Sequence, residues 1–273
     1  MIHLVVALPD EARPLVSRLG LEPDDLDAPF KLYRNDLWRL AVSGIGKSAA
    51  AAASAFLFAR SGESRREAWL NVGVAGHASL PLGELVVADQ VIEAATDRRW
   101  YPQLVFSPAC HRATICTVDS VEADYGRDRV FEMEASGFFS TAVRFSTAEF
   151  VHVLKVISDN RSNPVGSLSR RQMGALIEAA AGDIEAIGLQ IAALTEDPEP
   201  SGTSAGILRE FEERWHFTVT GRRQLERLLE RVAALDPGVS SLESLSDEMT
   251  AKAVLESLRE LANGLPVRFG DSA

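Results

Sequence analysis

Three acidic residues stand where the elements of this chain change. The stretch EMEASGFFSTAVRFSTAEFVHVLKVISDN opens on Glu132, Met133 and Glu134 and closes on Ser158, Asp159 and Asn160. A helical run follows the opening, and Phe150 to Ile157 is then almost continuously apolar. Such a run reads as a strand buried on both faces, as in a parallel sheet. In open α/β sheets, ligands bind beyond the carboxyl ends of the strands, and Ser158 and Asp159 stand at that kind of edge. Carboxyl groups there can exchange a proton with a ligand or face developing positive charge. Taken alone, Glu134 reads first as a polar residue near a helix start, and Asp159 as a loop cap. Glu11 follows the first apolar run, where acids in a first helical turn are favoured by the helix dipole.

The elements that must position these residues are legible in order. Ile2 to Leu8 reads as a buried strand; Pro9, Asp10 and Glu11 open a helix to about Leu19, with Gly20 as its stop. Leu37 to Val42 reads as a strand, followed by Ser43-Gly44-Ile45-Gly46-Lys47-Ser48 and an alanine-rich helix to about Arg60. A phosphate-binding GxxxxGKS loop requires glycine where Ala41 stands, so that reading is rejected. Trp69 to Val74 is a third strand, running into the turn Gly73-Val74-Ala75-Gly76-His77, where His77 reads as a loop residue. Gly83 to Ile92 and Thr114 to Val121 read as further strands. Ser169 to Leu194 is an amphipathic helix with Met173, Leu176, Ile177, Ile184, Ile187 and Ile191 on one side.

The balance of the chain excludes several function classes. Its 273 residues carry a formal net charge of -11, which argues against a nucleic-acid partner. Cys110 and Cys116 are too few for a disulfide framework, and no metal or cofactor is implied. The start MIHLVVALPDEARPL has no basic leader pattern, and no apolar run reaches membrane-spanning length, so a cytoplasmic protein is expected.

EMEA at 132–135, ISD at 157–159 and SGIGK at 43–47 together resemble the nucleosidase and purine nucleoside phosphorylase family, most of all the 5'-methylthioadenosine/S-adenosylhomocysteine nucleosidases. The resemblance covers residues 1–195. It implies a three-layer α/β sandwich with a mixed, largely parallel central sheet, and hydrolysis of the N-glycosidic bond of a purine nucleoside. By it, Asp159 protonates the purine, Ser158 orients Asp159, Glu134 binds the ribose over Met133, and Glu11 activates water. Val74, Ala75 and Gly76 would lie near the ribose and the nucleophile. It also implies a homodimer, in which the loop with Trp100 and Tyr101 reaches the neighbour's site. Lys155 stands where the relatives tend to carry arginine; otherwise it reads as a solvent contact at a strand end. Two positions depart from the pattern: Val74 replaces a serine, and Val121 replaces a phenylalanine that stacks on the base. A valine cannot hold phosphate through its side chain, which favours water as nucleophile. A phosphate-dependent phosphorylase and a degenerate nucleoside-binding protein are the alternatives.

Residues 196–273 lie outside the resemblance. EDPEPSGTSAG at 196–206 has linker composition. Two amphipathic helices follow, one through Leu225, Leu228, Leu229, Val232 and Leu235. The other runs through Val254, Leu255, Leu258 and Leu261, with Ser246 as its N-cap and Gly264 as its stop.

Overall fold

The computed structural model describes residues 1–24, 27–61, 66–122, 124–126, 128–195, 202–235 and 249–265. The chain divides into two compact units, Met1–Glu196 and Asp197–Ala273.

The first unit begins with β1 (Ile2–Val6), α1 (Pro9–Leu19), β2 (Glu22–Pro23), β3 (Lys31–Arg34), β4 (Trp38–Val42) and α2 (Lys47–Ala59). It continues through β5 (Ala68–Gly76), β6 (Leu85–Glu93), β7 (Arg98–Trp100), β8 (His111–Thr117) and β9 (Val130–Glu132). It closes with α3 (Ala135–Ala142), β10 (Val151–Asp159) and α4 (Arg170–Thr195). Among the described residues, the strands form one mixed ten-stranded sheet. Parallel pairing runs through β4, β1, β5 and β10 at its centre and links β6, β8 and β9. Antiparallel pairs join β10 to β6, β5 to β9, β6 to β7, and β2 and β3 in turn to β4. The parallel character expected from the apolar runs therefore holds for the centre. The path β10-β6-β8-β9-β5 also returns to β10, because β5 and β10 pair directly.

Side-chain alternation along the central strands divides the buried residues between two cores. Leu4, Val6, Leu154 and Val156 pack with Leu15 of α1 and with Ile177, Ile184 and Ile191 of α4. Val5, Val153 and Ile157 pack with Ala53 and Leu57 of α2 and Phe138 of α3. Lys155 has the parity of Val153 and Ile157, so the sheet aims it toward the start of α3. Small residues let the helices approach closely. A Cβ at Gly137 of α3 would overlap the carbonyl oxygen of Lys47, and one at Gly188 of α4 would overlap the Trp38 ring.

Local signals set the element ends. Pro9 starts α1, and Gly20 ends it in the left-handed region at φ 62. Gly44 and Gly46 take φ 86 and 104, which makes the turn before α2 a glycine requirement. The expected strand at 114–121 is displaced: β8 starts at His111 and ends at Thr117. Its parallel register with β6, which slips between Ala88 and Gln90, draws in the polar residues His111 and Arg112 together with Ala113.

Among the described residues of the second unit, α5 (Gly202–Arg214), α6 (Val219–Leu235) and α7 (Ala251–Gly264) are three helices where two were expected. Phe211 of α5 and Trp215 just beyond its end share a core with Leu225 and Leu229 of α6 and with Val254, Leu255 and Leu258 of α7. Helix α5 therefore begins inside the stretch read as linker. Thr250 caps α7, its side chain accepting from the Ala253 N–H at 3.2 Å. Ser246, the expected cap, lies outside the described residues, as do 196–201.

Candidate active site

Glu11 and Glu134 converge because each is tied to backbone at an element end. Glu11, in the first turn of α1, turns back so that its Oε2 accepts the N–H groups of Ala7 and Leu8 at 3.1 and 2.8 Å. Its Oε1 accepts the Val74 N–H at 2.9 Å, which locks α1 to β5. Glu134 precedes α3, and its Oε1 accepts the Gly46 N–H at 2.8 Å. The amino end of α2 is thus filled by a carboxylate of the chain itself. Lys47 is likewise engaged, 2.9 Å from both Glu93 and Asp119.

Behind these two acids lies Lys155, 1% exposed, with Nζ 2.9 Å from Glu132 Oε2 and 3.8 Å from Glu134 Oε2. It is a buried charge at the centre of an acidic cluster rather than a solvent contact. Glu132 is held in turn. Its Oε2 accepts the N–H groups of Glu134 and Ala135 at 2.9 and 2.8 Å, and its Oε1 accepts the Thr117 hydroxyl at 2.6 Å. Gly73 makes room for this cluster, since a Cβ there would lie 3.0 Å from Glu11 Oε1 and 3.3 Å from Lys155 Nζ.

Burial and charge set the proton affinities. Burial raises Glu11 above the ordinary carboxylate range, against the opposing pull of the Val74 N–H and of Lys155. Burial also raises Glu134, with Lys155 opposing it and Glu132 reinforcing it. For Lys155, burial pulls downward, but Glu132 and Glu134 outweigh it and hold the ammonium above its usual range.

Asp159 is aimed by an irregularity in the sheet. Ile157 pairs with Ala75 and Asp159 with Gly76, so Ser158 is an extra residue in β10. A bulge of this kind redirects the side chains that follow it. Ser158 Oγ lies 2.7 Å from Asp159 Oδ1 and 3.3 Å from the Ala75 carbonyl oxygen. Asp159 Oδ2 accepts the phenol O–H of Tyr125.

These residues border one cavity of about 340 Å³, within the roughly 300–1,000 Å³ typical of small-molecule sites. Glu11, Glu134, Ser158 and Asp159 supply its polar edge. Val74, Ala75, Gly76 and Met133 line it as well, while Lys155, His77, Trp100 and Tyr101 do not. Ile45, Val118, Phe131, Leu168 and Met173 give it apolar walls. Among the described residues, none of those lining it is an arginine, a lysine or a histidine. Val121 also lines it but is 60% exposed. Among the described residues, Phe131 is the aromatic residue that borders it, and no local pattern in the sequence marks it. Trp100 packs on its own chain's core, while Tyr101 is 63% exposed. His77 is a loop residue: its Nδ1 accepts the N–H groups of Ser79 and Leu80, which leaves Nε2 to donate to Asp128 at 3.0 Å.

The fold is that of the nucleosidases. A 5'-methylthioadenosine nucleosidase from Arabidopsis thaliana superposes with a TM-score of 0.57 at 14% identity, covering 72% of this chain and 96% of that one. An MTAN variant from Helicobacter pylori, solved with 5'-methylthioadenosine in its active site, gives 0.54 at 18% identity, covering 68% and 96%. A futalosine hydrolase variant from Helicobacter pylori gives 0.50 at 16% identity, covering 68% and 97%. Neither a protein-family profile nor a curated protein sequence matches the chain. Among the described residues, no helix is long and apolar enough to cross a membrane.

Proposed function

We propose that this protein hydrolyses the N-glycosidic bond of a purine nucleoside of the 5'-methylthioadenosine/S-adenosylhomocysteine type. The observation that carries the reading is the convergence of Glu11, Glu134 and Asp159 on one apolar-walled cavity, each carboxyl fixed by hydrogen bonds. The nucleosidase fold of the neighbours supports it.

Cleavage passes through a sugar with oxocarbenium character, as in glycoside hydrolysis. Asp159, as the carboxylic acid, gives its proton to N7 while the C1'–N9 electron pair leaves with the base. Glu134 binds the ribose hydroxyls, and its negative charge stabilises the sugar cation. Glu11 takes a proton from the attacking water, and its raised proton affinity suits a base. The products are free base and free sugar, and solvent returns the proton from Glu11 to Asp159. Met133 packs beneath the sugar, and Phe131 offers the base an aromatic surface.

Water is favoured over phosphate on electrostatic grounds. A phosphate in this cavity would face Glu11, Glu122, Glu134 and Asp159 with no cationic side chain among the described lining residues. The one amide that Val74 offers is already given to Glu11. Incubation of the protein with 5'-methylthioadenosine tests the reading: it expects adenine and the free thiosugar, whereas bound but uncleaved nucleoside points to a binding protein.

The same reading carries a homodimer in the cytoplasm, with exposed Tyr101 at the subunit contact. Light scattering at micromolar concentration checks it, and a strict monomer contradicts it.

A further inference from the structure

Asp159 is held from two sides, by Ser158 and by Tyr125. Tyr125, between β8 and β9, donates its phenol O–H to Asp159 Oδ2 from a side chain that is 2% exposed. Its backbone sits at φ 46, a region that residues other than glycine seldom adopt. Such a conformation persists where the surroundings over-determine it. Here Arg161 Nη2 donates to the Tyr125 carbonyl at 3.1 Å. Gly76 also makes space for the pair: a Cβ there would overlap Asp159 Oδ2 and lie 2.9 Å from Tyr125 Cε1.

We infer that Tyr125 is a positioning residue for Asp159: its phenol fixes the carboxyl group beside the sheet bulge and stabilises the carboxylate left when the proton has passed to the leaving base. The inference rests on the proposed hydrolysis. No proton leaves Tyr125. Burial, followed by the hydrogen bond to Asp159, holds the phenol well above its ordinary range, so it remains a donor throughout. Ser158 can follow the charge from the other side. Its hydroxyl reaches both Asp159 Oδ1 and the Ala75 carbonyl, so it can donate to the anion as the proton passes to the leaving base. Tyr125 then matters only when a proton has to be delivered to the leaving group. A group that departs as a stable anion needs neither the acid nor its support.

The test compares the wild-type protein with Tyr125→Phe, which keeps the buried ring and removes the hydroxyl. Both are assayed on 5'-methylthioadenosine and on p-nitrophenyl riboside. The expected result on 5'-methylthioadenosine is a fall in kcat of about 10- to 100-fold, the size of one hydrogen bond to a charged group, with KM held within about threefold. On p-nitrophenyl riboside the two proteins should agree within about twofold. That second activity also reports that the variant is folded. Equal losses on both substrates mean that the hydroxyl merely supports the loop, and no loss on either means that it is idle; each result overturns the inference. Wild-type protein that releases neither base nor p-nitrophenol overturns the proposed hydrolysis, and the role of Tyr125 with it.

Discussion

Lys155 Nζ lies 2.9 Å from Glu132 Oε2, with 1% of one side chain and 0% of the other exposed. This pair anchors the cluster that includes Glu134 and Glu11. Glu132 also accepts the N–H groups that open α3 and the Thr117 hydroxyl, so its place is architectural. The positive charge of Lys155 does two things. It compensates Glu132, and it opposes the burial that raises Glu134 and Glu11.

Lys155→Met should therefore be strongly destabilising. Removing one member of a buried pair leaves the other as an uncompensated charge, at a cost of about 3–5 kcal/mol. Denaturant unfolding measures it. A loss within about 0.5 kcal/mol, the range of surface substitutions, would show that the pair is solvated in solution.

The pH profile should carry the same signature. Glu11 must be ionised to take a proton from water, and burial raises it, so the acid limb of kcat/KM should lie above the ordinary glutamate value of about 4.3. Lys155 pulls Glu11 and Glu134 down, so Lys155→Met should move that limb to still higher pH, while Lys155→Arg retains the charge and moves it less. A limb that stays in place in Lys155→Met contradicts the assignment.

The acid and the base should separate by substrate. Asp159→Asn and Glu11→Gln should each reduce turnover of 5'-methylthioadenosine by roughly 10²-fold or more. With p-nitrophenyl riboside, Asp159→Asn should recover in part, because an activated leaving group replaces the work of the acid. Glu11→Gln should not recover, because the nucleophile must still be generated. Identical behaviour of the two variants on both substrates would mean that the roles are wrongly divided.

Two glycines should respond in opposite directions. Gly137→Ala forces a methyl group into the Lys47 carbonyl and should destabilise by at least about 1–3 kcal/mol, the usual cost of overpacking. In α4, a Cβ at Gly182 meets nothing nearer than Arg18 Nη2 at 3.9 Å, so Gly182→Ala should stabilise by about 0.5–1 kcal/mol. Chemical denaturation distinguishes them, and a neutral Gly137→Ala would mean that α2 and α3 lie farther apart than the structure has them.

How much of this was legible depended on whether a residue's partners are near it in sequence. The apolar run ending at Ile157 located β10, and Gly44 and Gly46 located the turn before α2, because burial and backbone freedom leave local marks. Of the two readings open for Lys155, the strand-end solvent contact fails and the place behind the site holds, since Glu132 and Glu134 reach it only through the start of α3. The extra residue at Ser158 leaves no mark in composition, yet it turns Asp159 toward Tyr125. Tyr125 sits in a polar segment with no periodicity. Helix α5 hid behind Gly202, Thr203, Ser204 and Gly206, although Ile207, Phe211 and Trp215 recur at helical spacing and could have revealed it.

The most direct test of the central claim is product analysis with phosphate as the only variable. Purified protein is incubated with 5'-methylthioadenosine in buffer with and without inorganic phosphate, and the products are separated by chromatography. The account predicts adenine and the unphosphorylated thiosugar at the same rate in both. A sugar 1-phosphate that forms only when phosphate is present, or intact nucleoside in both, would contradict it.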